Sequence, residues 1–172
     1  AVEYTFEAGK MALENKIDAM VSAPLHKGAM RAAGFNYEGQ TQILGELTKS
    51  ENYGMILVLE NLNILMYSTH MSLRKACDKV TYDGVLKKII LANEGLKFFN
   101  KGNALIAVAA LNPHSGEGGI FGTEEIDYIS PAIKHAKEQG INVTGPIPGD
   151  TVFVRAKNGE FDLVIAMYHD QA

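Results

Sequence analysis

The sequence predicts an α/β protein with a mostly parallel sheet, flanking helices and an antiparallel addition. Short apolar runs rich in Val, Ile and Ala alternate with longer segments in which apolar residues recur at helical spacing. Runs without polar alternation are typical of strands that are buried on both faces of a parallel sheet. Two of the runs are separated only by Glu60 and Asn61, which indicates a hairpin and hence one antiparallel pair.

Strands are predicted where continuous apolar runs of about four to eight residues occur. Pro24 closes the first run, because proline lacks the N–H group that a strand ladder needs. The predicted strands cover residues 17–22, 55–59, 62–68, 105–110, 141–144 and 161–166.

Helices are predicted where apolar residues recur every three to four positions. Gly34 lies just past one of these segments, a position that favours glycine. Thr123 can cap the helix that ends at Gly140, and Glu124 and Glu125 favour that N-terminus by their charge. The predicted helices cover residues 3–15, 25–33, 41–48, 73–78, 80–99 and 123–140, with loops at 35–39, 116–122 and 146–150.

The composition excludes several classes of protein. The chain is 47% hydrophobic and 21% charged, as expected for a globular domain. A net charge of −4 gives no support for a nucleic-acid partner, and no apolar run reaches the ~18 residues of a membrane span. Cys77, the single cysteine, excludes an intramolecular disulfide and favours a reducing cytoplasm. We therefore expect a cytoplasmic protein without nucleic-acid or membrane partners.

Three histidines, His70, His114 and His169, each follow a predicted strand. Ligands of open α/β sheets collect at the carboxyl ends of strands, and three imidazoles there could hold a divalent metal. A single histidine at a strand end is more often a capping or surface residue. Their shared position, together with polar neighbours such as Asn112 and Asp170, favours a metal site.

Other strand ends carry further candidates. Asp150 and Asp170 could transfer protons or orient the histidine ligands. The glycines at residues 116–122 do not match the dinucleotide-binding fingerprint, because Phe121 stands where a glycine is needed. A tight turn beside His114 is at least as good an interpretation of this loop.

Several strings of residues together resemble the 4-hydroxythreonine-4-phosphate dehydrogenase family of vitamin B6 biosynthesis. The most specific are Asn112-Pro-His-Ser-Gly-Glu-Gly-Gly119 and Met167-Tyr-His-Asp-Gln171, and the resemblance spans residues 1–172. It implies an isopropylmalate-dehydrogenase-like α/β fold, a homodimer and the use of NAD or NADP. It also implies a divalent metal (Zn, Mg or Co) held by His70, His114 and His169, with ligands shared across the dimer interface.

The activity that the resemblance implies is oxidation of a secondary alcohol in 4-hydroxythreonine 4-phosphate. Hydride passes to the nicotinamide, coordination to the metal stabilises the alkoxide, and the resulting keto acid loses CO2. Gln40 and Thr41 correspond to a His-Thr pair that contacts substrate in the family. Gln40 cannot carry a positive charge, so dehydrogenation of 4-phospho-threonate or 4-phospho-erythronate is an alternative.

Two further classes of function stay open at this point: a metal-dependent hydrolase, and a binding fragment without activity. The family is nearly twice as long as this chain. Residues 1–172 are therefore expected to be the central part of such a dehydrogenase, without the terminal segments.

Overall fold

The computed structural model describes residues 1–37, 39–99 and 102–172, and these divide into two units, Ala1–Tyr53 and Gly54–Ala172. The loop predicted at residues 35–39 includes residue 38, which lies outside the described residues. The expectation that residues 1–172 are the central part of a longer enzyme is untested by this division and stays a prediction.

The first unit is helical. Its elements are α1 (Val2–Leu13), α2 (Lys27–Ala32) and α3 (Gln40–Thr48), close to the predicted helices. The imidazole of His26 caps α2, since its Nδ1 accepts a hydrogen bond from the Ala29 N–H at 3.0 Å. In the described part of this unit, the buried apolar side chains that pack together are Val2, Met30 and Ile43.

The strand predicted at residues 17–22 is wrong. This segment is irregular, and the side chain of Val21 is fully exposed. A strand needs a hydrogen-bonded neighbour, and none of the described residues of this unit forms one. The apolar run alone did not contain that information.

Within the described ranges, the second unit forms a five-stranded sheet with the order β1-β2-β5-β3-β4. Strands β1 and β2 are antiparallel, whereas the β2–β5, β5–β3 and β3–β4 pairs are parallel. The predicted α/β class, with its mostly parallel sheet and antiparallel hairpin, is therefore confirmed. The strands are β1 (Ile56–Leu59), β2 (Leu62–Met66), β3 (Ile106–Ala109), β4 (Val143–Ile147) and β5 (Leu163–Ala166).

Helices cover both faces of this sheet, which explains why the central strands are apolar throughout. Ile106 and Val108 of β3 join the core formed with α5 and α6, whereas Ala107 and Ala109 face α7. The helices are α4 (Leu73–Asp78), α5 (Tyr82–Phe98), α6 (Ser130–Glu138) and α7 (Gly149–Lys157). None of the helices in the described ranges is long and apolar enough to cross a membrane.

Two predicted segments differ from the structure. Strand β4 continues to Ile147, and helix α7 begins at Gly149, where a loop was predicted at residues 146–150. The sequence signal for α7 is weak because only Val152 and Ala156 are buried, which is a narrow apolar stripe. The helix predicted from Thr123 begins instead with a π-helical turn, Glu125–Ile129, that leads into α6.

Candidate active site

The three histidines predicted as metal ligands follow three neighbouring strands. His70 comes after β2, His169 after β5 and His114 after β3. Strand β5 lies between β2 and β3, and all three run parallel. The loops that carry the histidines therefore leave the same edge of the sheet.

His70 and His169 lie beside each other at this edge. Their ring centroids are 5.6 Å apart and their planes are inclined by 39°. Two hydrogen bonds hold their loops together beyond the strands: the Ser68 hydroxyl donates to the Met167 carbonyl at 2.8 Å, and the Tyr67 N–H donates to the Ala166 carbonyl at 2.8 Å. The pairing of β2 and β5 thus extends to within two residues of each histidine.

The carboxylate of Asp170 lies against the imidazole of His169. Its Oδ1 is 2.9 Å from His169 Nδ1, although both side chains are exposed. A carboxylate that accepts the Nδ1–H bond fixes the tautomer and leaves the Nε2 lone pair available to a ligand. This is the contact that an orienting carboxylate makes.

His114 stands apart from that pair. Its Nδ1 is 3.4 Å from Glu117 Oε2, and its ring packs edge-on against Phe121 with centroids 6.3 Å apart. Among the described residues, no group of three or more His, Cys, Asp or Glu side chains is close enough to hold a metal ion. The chain thus brings two of the three predicted ligands together and carries the third on the adjacent loop.

The loop that carries His114 has an unusual backbone. Residues 114–118 all have positive φ angles, including 51° at His114, 55° at Ser115 and 44° at Glu117. The glycine-rich segment therefore forms a tight left-handed turn beside His114. That geometry agrees with the interpretation of these glycines as a tight turn, not as a dinucleotide-binding fingerprint.

A buried carboxylate, Glu125, fixes the start of this loop. Its Oε1 accepts hydrogen bonds from the N–H groups of Leu111 and Asn112, each at 2.7 Å. Its Oε2 accepts from the side-chain amide of Asn112 at 2.9 Å, and only 3% of the residue is exposed. Glu125 lies in the first helical turn, where an acidic residue was predicted, and the sequence did not indicate that its carboxylate is buried and bonded to the preceding loop. The sequence signal for this close contact was the glycine at position 116. A Cβ there would lie only 2.9 Å from Glu125 Oε2.

The side chain of Gln171 joins the ends of β5 and β3. Its Oε1 accepts from the Met167 N–H, and its Nε2 donates to the Ala110 carbonyl, both at 2.7 Å. A single amide that both donates and accepts thereby sets the spacing between the turn of His169 and the strand that precedes His114. In the sequence, Gln171 stood out only as the last residue of the string Met167-Tyr-His-Asp-Gln171.

The remaining predicted site residues lie elsewhere. Asp150 is exposed in the first turn of α7, which follows β4 at the same edge of the sheet. Gln40 and Thr41 begin α3 in the first unit, and Gln40 Nε2 donates to the Ala23 carbonyl at 2.8 Å. Their predicted role in binding substrate stays a prediction.

Comparison with known proteins gives consistent matches. The chain matches the family model of the pyridoxal phosphate biosynthetic protein PdxA over residues 1–172. The D-threonate 4-phosphate dehydrogenase of Pectobacterium atrosepticum is 43% identical over 165 residues, 96% of this chain and 51% of that protein. The 4-hydroxythreonine-4-phosphate dehydrogenase of Beijerinckia indica is 45% identical over 161 residues, 94% of this chain and 48% of that protein.

A solved structure has the same fold. The crystal structure of 4-hydroxythreonine-4-phosphate dehydrogenase from Klebsiella pneumoniae aligns with a TM-score of 0.94 and 40% identity, over 99% of this chain and 52% of that one. The chain spans about half the length of the curated relatives it matches. Because the family model covers every residue of the sequence, the chain belongs to the PdxA family of pyridoxal phosphate biosynthetic proteins.

Proposed function

We propose that this chain supplies the metal site of an NAD(P)-dependent dehydrogenase that oxidises the secondary alcohol of a phosphorylated hydroxy acid. The observation that carries this proposal is the pair formed by His70 and His169 on adjacent parallel strands, with Asp170 on His169. The names of the relatives support the substrate class. We propose 4-hydroxythreonine 4-phosphate as substrate, with D-threonate 4-phosphate as the second candidate because Gln40 is neutral.

The donor atoms suit a divalent transition ion. Imidazole nitrogens bind Zn²⁺ and Co²⁺ well, whereas Mg²⁺ prefers oxygen ligands. We propose that His70, His114 and His169 hold such an ion. When bound, it would supply Lewis-acid stabilisation of the negative charge on the alcohol oxygen.

The proposed roles of the two aspartates follow from their positions. Asp170 holds the Nδ1 side of His169 and so directs Nε2 into the site. Asp150, exposed at the same edge, is the proposed base that takes the hydroxyl proton. The alcohol carbon then transfers a hydride to NAD⁺ or NADP⁺. The keto acid releases CO2, the electron pair of the broken C–C bond passes to the neighbouring carbon as an enolate, and that carbon takes up a proton.

We also propose that the site is completed in a homodimer. The separation of His114 from the other two histidines supports this, because a ligand from a second copy could complete the set. Exposed apolar side chains on the edge strand β1 offer surface that a partner could cover, with Val58 61% and Leu59 56% exposed. Light scattering on the full-length protein should show a dimer, and a monodisperse active monomer would contradict the proposal.

Replacement of the histidines tests the metal site directly. In the full-length protein, His70→Ala, His114→Ala and His169→Ala should each lose most of the bound metal measured by elemental analysis. Occupancy in the wild type should also fall as the pH is lowered, because protons compete with the metal for the ligand nitrogens. His135→Ala is the control, since His135 contacts Tyr82 and Gln139 instead. Undiminished metal in all three variants would show that the site is misassigned.

The reaction class is tested with a substrate panel. The full-length protein should reduce NAD⁺ or NADP⁺ in the presence of 4-hydroxythreonine 4-phosphate or D-threonate 4-phosphate, measured by nicotinamide absorbance. Release of inorganic phosphate without nicotinamide reduction would contradict the proposal and favour a metal-dependent hydrolase.

A further inference from the structure

Glu125 is a buried charged residue that has no part in the chemistry proposed above. Its carboxylate accepts the N–H groups of Leu111 and Asn112 and the side-chain amide of Asn112. Hydrogen bonds to a charged acceptor are about twice as strong as those between neutral groups. Two of them fix the backbone two and three residues before His114, and the third holds the side chain of Asn112.

The turn beyond that point needs such support. His114, Ser115 and Glu117 adopt the left-handed backbone region that residues with a Cβ rarely enter. Such a conformation persists only where the surrounding structure holds it. Glu125 lies against the centre of the turn, because a Cβ on Gly116 would approach Glu125 Oε2 to 2.9 Å and the Gly122 carbonyl oxygen to 2.8 Å.

We propose that Glu125 is a positioning residue, which sets the place of His114 by holding both the start and the centre of this turn. The direct claim concerns the loop, and only its consequence for metal binding rests on the proposed function. A ligand must be held to within about half an ångström to bind well. Loss of the carboxylate should therefore weaken metal binding without removing any ligand.

Amide hydrogen exchange on the full-length protein tests the loop without metal. In Glu125→Gln, the amide NH2 would face the Asn112 side-chain donor, so peptides covering residues 111–118 should exchange at least roughly tenfold faster. Glu125→Asp keeps the charge on a shorter stem and should restore part of the protection. Glu138→Gln, which removes an exposed charge at the end of α6, is the matched control and should leave the exchange unchanged. Unchanged exchange in Glu125→Gln would overturn the inference.

Metal affinity tests the consequence. The Kd for Zn²⁺ of Glu125→Gln, measured by chelator competition, should rise roughly 10- to 100-fold, as for other residues that orient ligands. A purely structural role would lower the melting temperature of the variant but leave this Kd unchanged. Unchanged affinity in Glu125→Gln but lost affinity in His114→Ala would overturn this inference alone. Unchanged affinity in both variants would overturn the proposed metal site and the consequence for metal binding, whereas the role of Glu125 in holding the turn would still be decided by hydrogen exchange.

Discussion

At the scale of single residues, the side-chain amide of Gln40 makes one hydrogen bond within the described part of the chain. Its Nε2 donates to the Ala23 carbonyl, and among the described residues no group donates to Oε1, which is an acceptor. An acceptor suits a substrate hydroxyl, whereas a protonated histidine would suit an anionic group. This position could therefore distinguish the two candidate substrates.

We expect Gln40→His to change the substrate preference of the full-length enzyme. The two substrates differ at the carbon beside the carboxylate, which bears a hydroxyl in D-threonate 4-phosphate and an amino group in 4-hydroxythreonine 4-phosphate. A charge-assisted contact differs from a neutral one by about 1 kcal/mol, so the ratio of their kcat/KM values should change roughly fivefold. Gln42→His is the control, because positions two apart on a helix do not share a face. An identical ranking of the two substrates in both proteins would show that position 40 does not set specificity.

At the scale of elements, the left-handed turn at residues 114–118 separates two effects of glycine. Gly116 and Gly118 have φ angles of 80° and 66°. A Cβ at Gly116 would collide with the Gly122 carbonyl oxygen, whereas a Cβ at Gly118 would meet no atom within 4 Å. The two sites share a backbone conformation but differ in available space.

Alanine substitutions at these two positions should therefore differ in effect. Gly118→Ala should lower the free energy of unfolding by about 1 kcal/mol, the penalty of the left-handed conformation alone. Gly116→Ala adds a steric collision that costs about 1–3 kcal/mol more. Denaturant titration of both variants measures the difference. Equal destabilisation would mean that the turn can move away from Gly122 and Glu125 freely.

Helix α5 carries a half-buried lysine, Lys88. Burial lowers the pKa of its ammonium below the ordinary value of 10.5, and the nearby charge of Lys79 acts in the same direction. The unfolded chain then binds more protons than the folded one as the pH approaches 10.5, so this residue makes stability rise with pH in that window.

Comparison of the wild type with Lys88→Met isolates the contribution of this lysine to the pH dependence of stability. The wild type should gain stability relative to Lys88→Met as the pH rises toward 10.5, measured by urea unfolding at several pH values. Lys87→Met removes an exposed charge from the same helix and should show no such trend. A pH-independent difference for Lys88→Met would contradict the lowered pKa.

The elements that could be predicted from the sequence are those with a complete local signal. Helix α5 has a long apolar stripe, and the β1–β2 hairpin has a two-residue turn. The apolar stripe of helix α7 is too narrow to predict a helix. The run at residues 17–22 has the composition of a strand, and the sequence did not show that no strand pairs with it among the described residues of its unit. For the site, strand ends indicated the histidines, but the role of Glu125 depends on contacts across 13 residues. Local patterns carry no such information.

At the scale of the whole molecule, the two units differ in the size of their cores. The second unit has apolar clusters on both faces of its sheet, whereas in the described part of the first unit three buried apolar residues pack together. Burial of apolar surface is the main source of stability, and very small domains bury too little of it.

We therefore expect the units to behave differently when expressed separately. Residues 54–172 should unfold cooperatively on heating, followed by circular dichroism. Residues 1–53 should show little helix and no cooperative transition. A cooperative transition in residues 1–53 alone would show that its small core suffices.

The strand order has a consequence for how the molecule is made. Strand β5 pairs with both β2 and β3, yet it follows both in the sequence. During synthesis, the β1–β2 hairpin and the β3–β4 pair leave the ribosome before the strand that must lie between them. Chains grow at about 5–20 residues per second. For some seconds, therefore, the edges of β2 and β3 that will pair with β5 have no hydrogen-bonded neighbour. In that interval the nascent chain is most exposed to pairing with the wrong strand, and a chaperone that shields it then would contribute most.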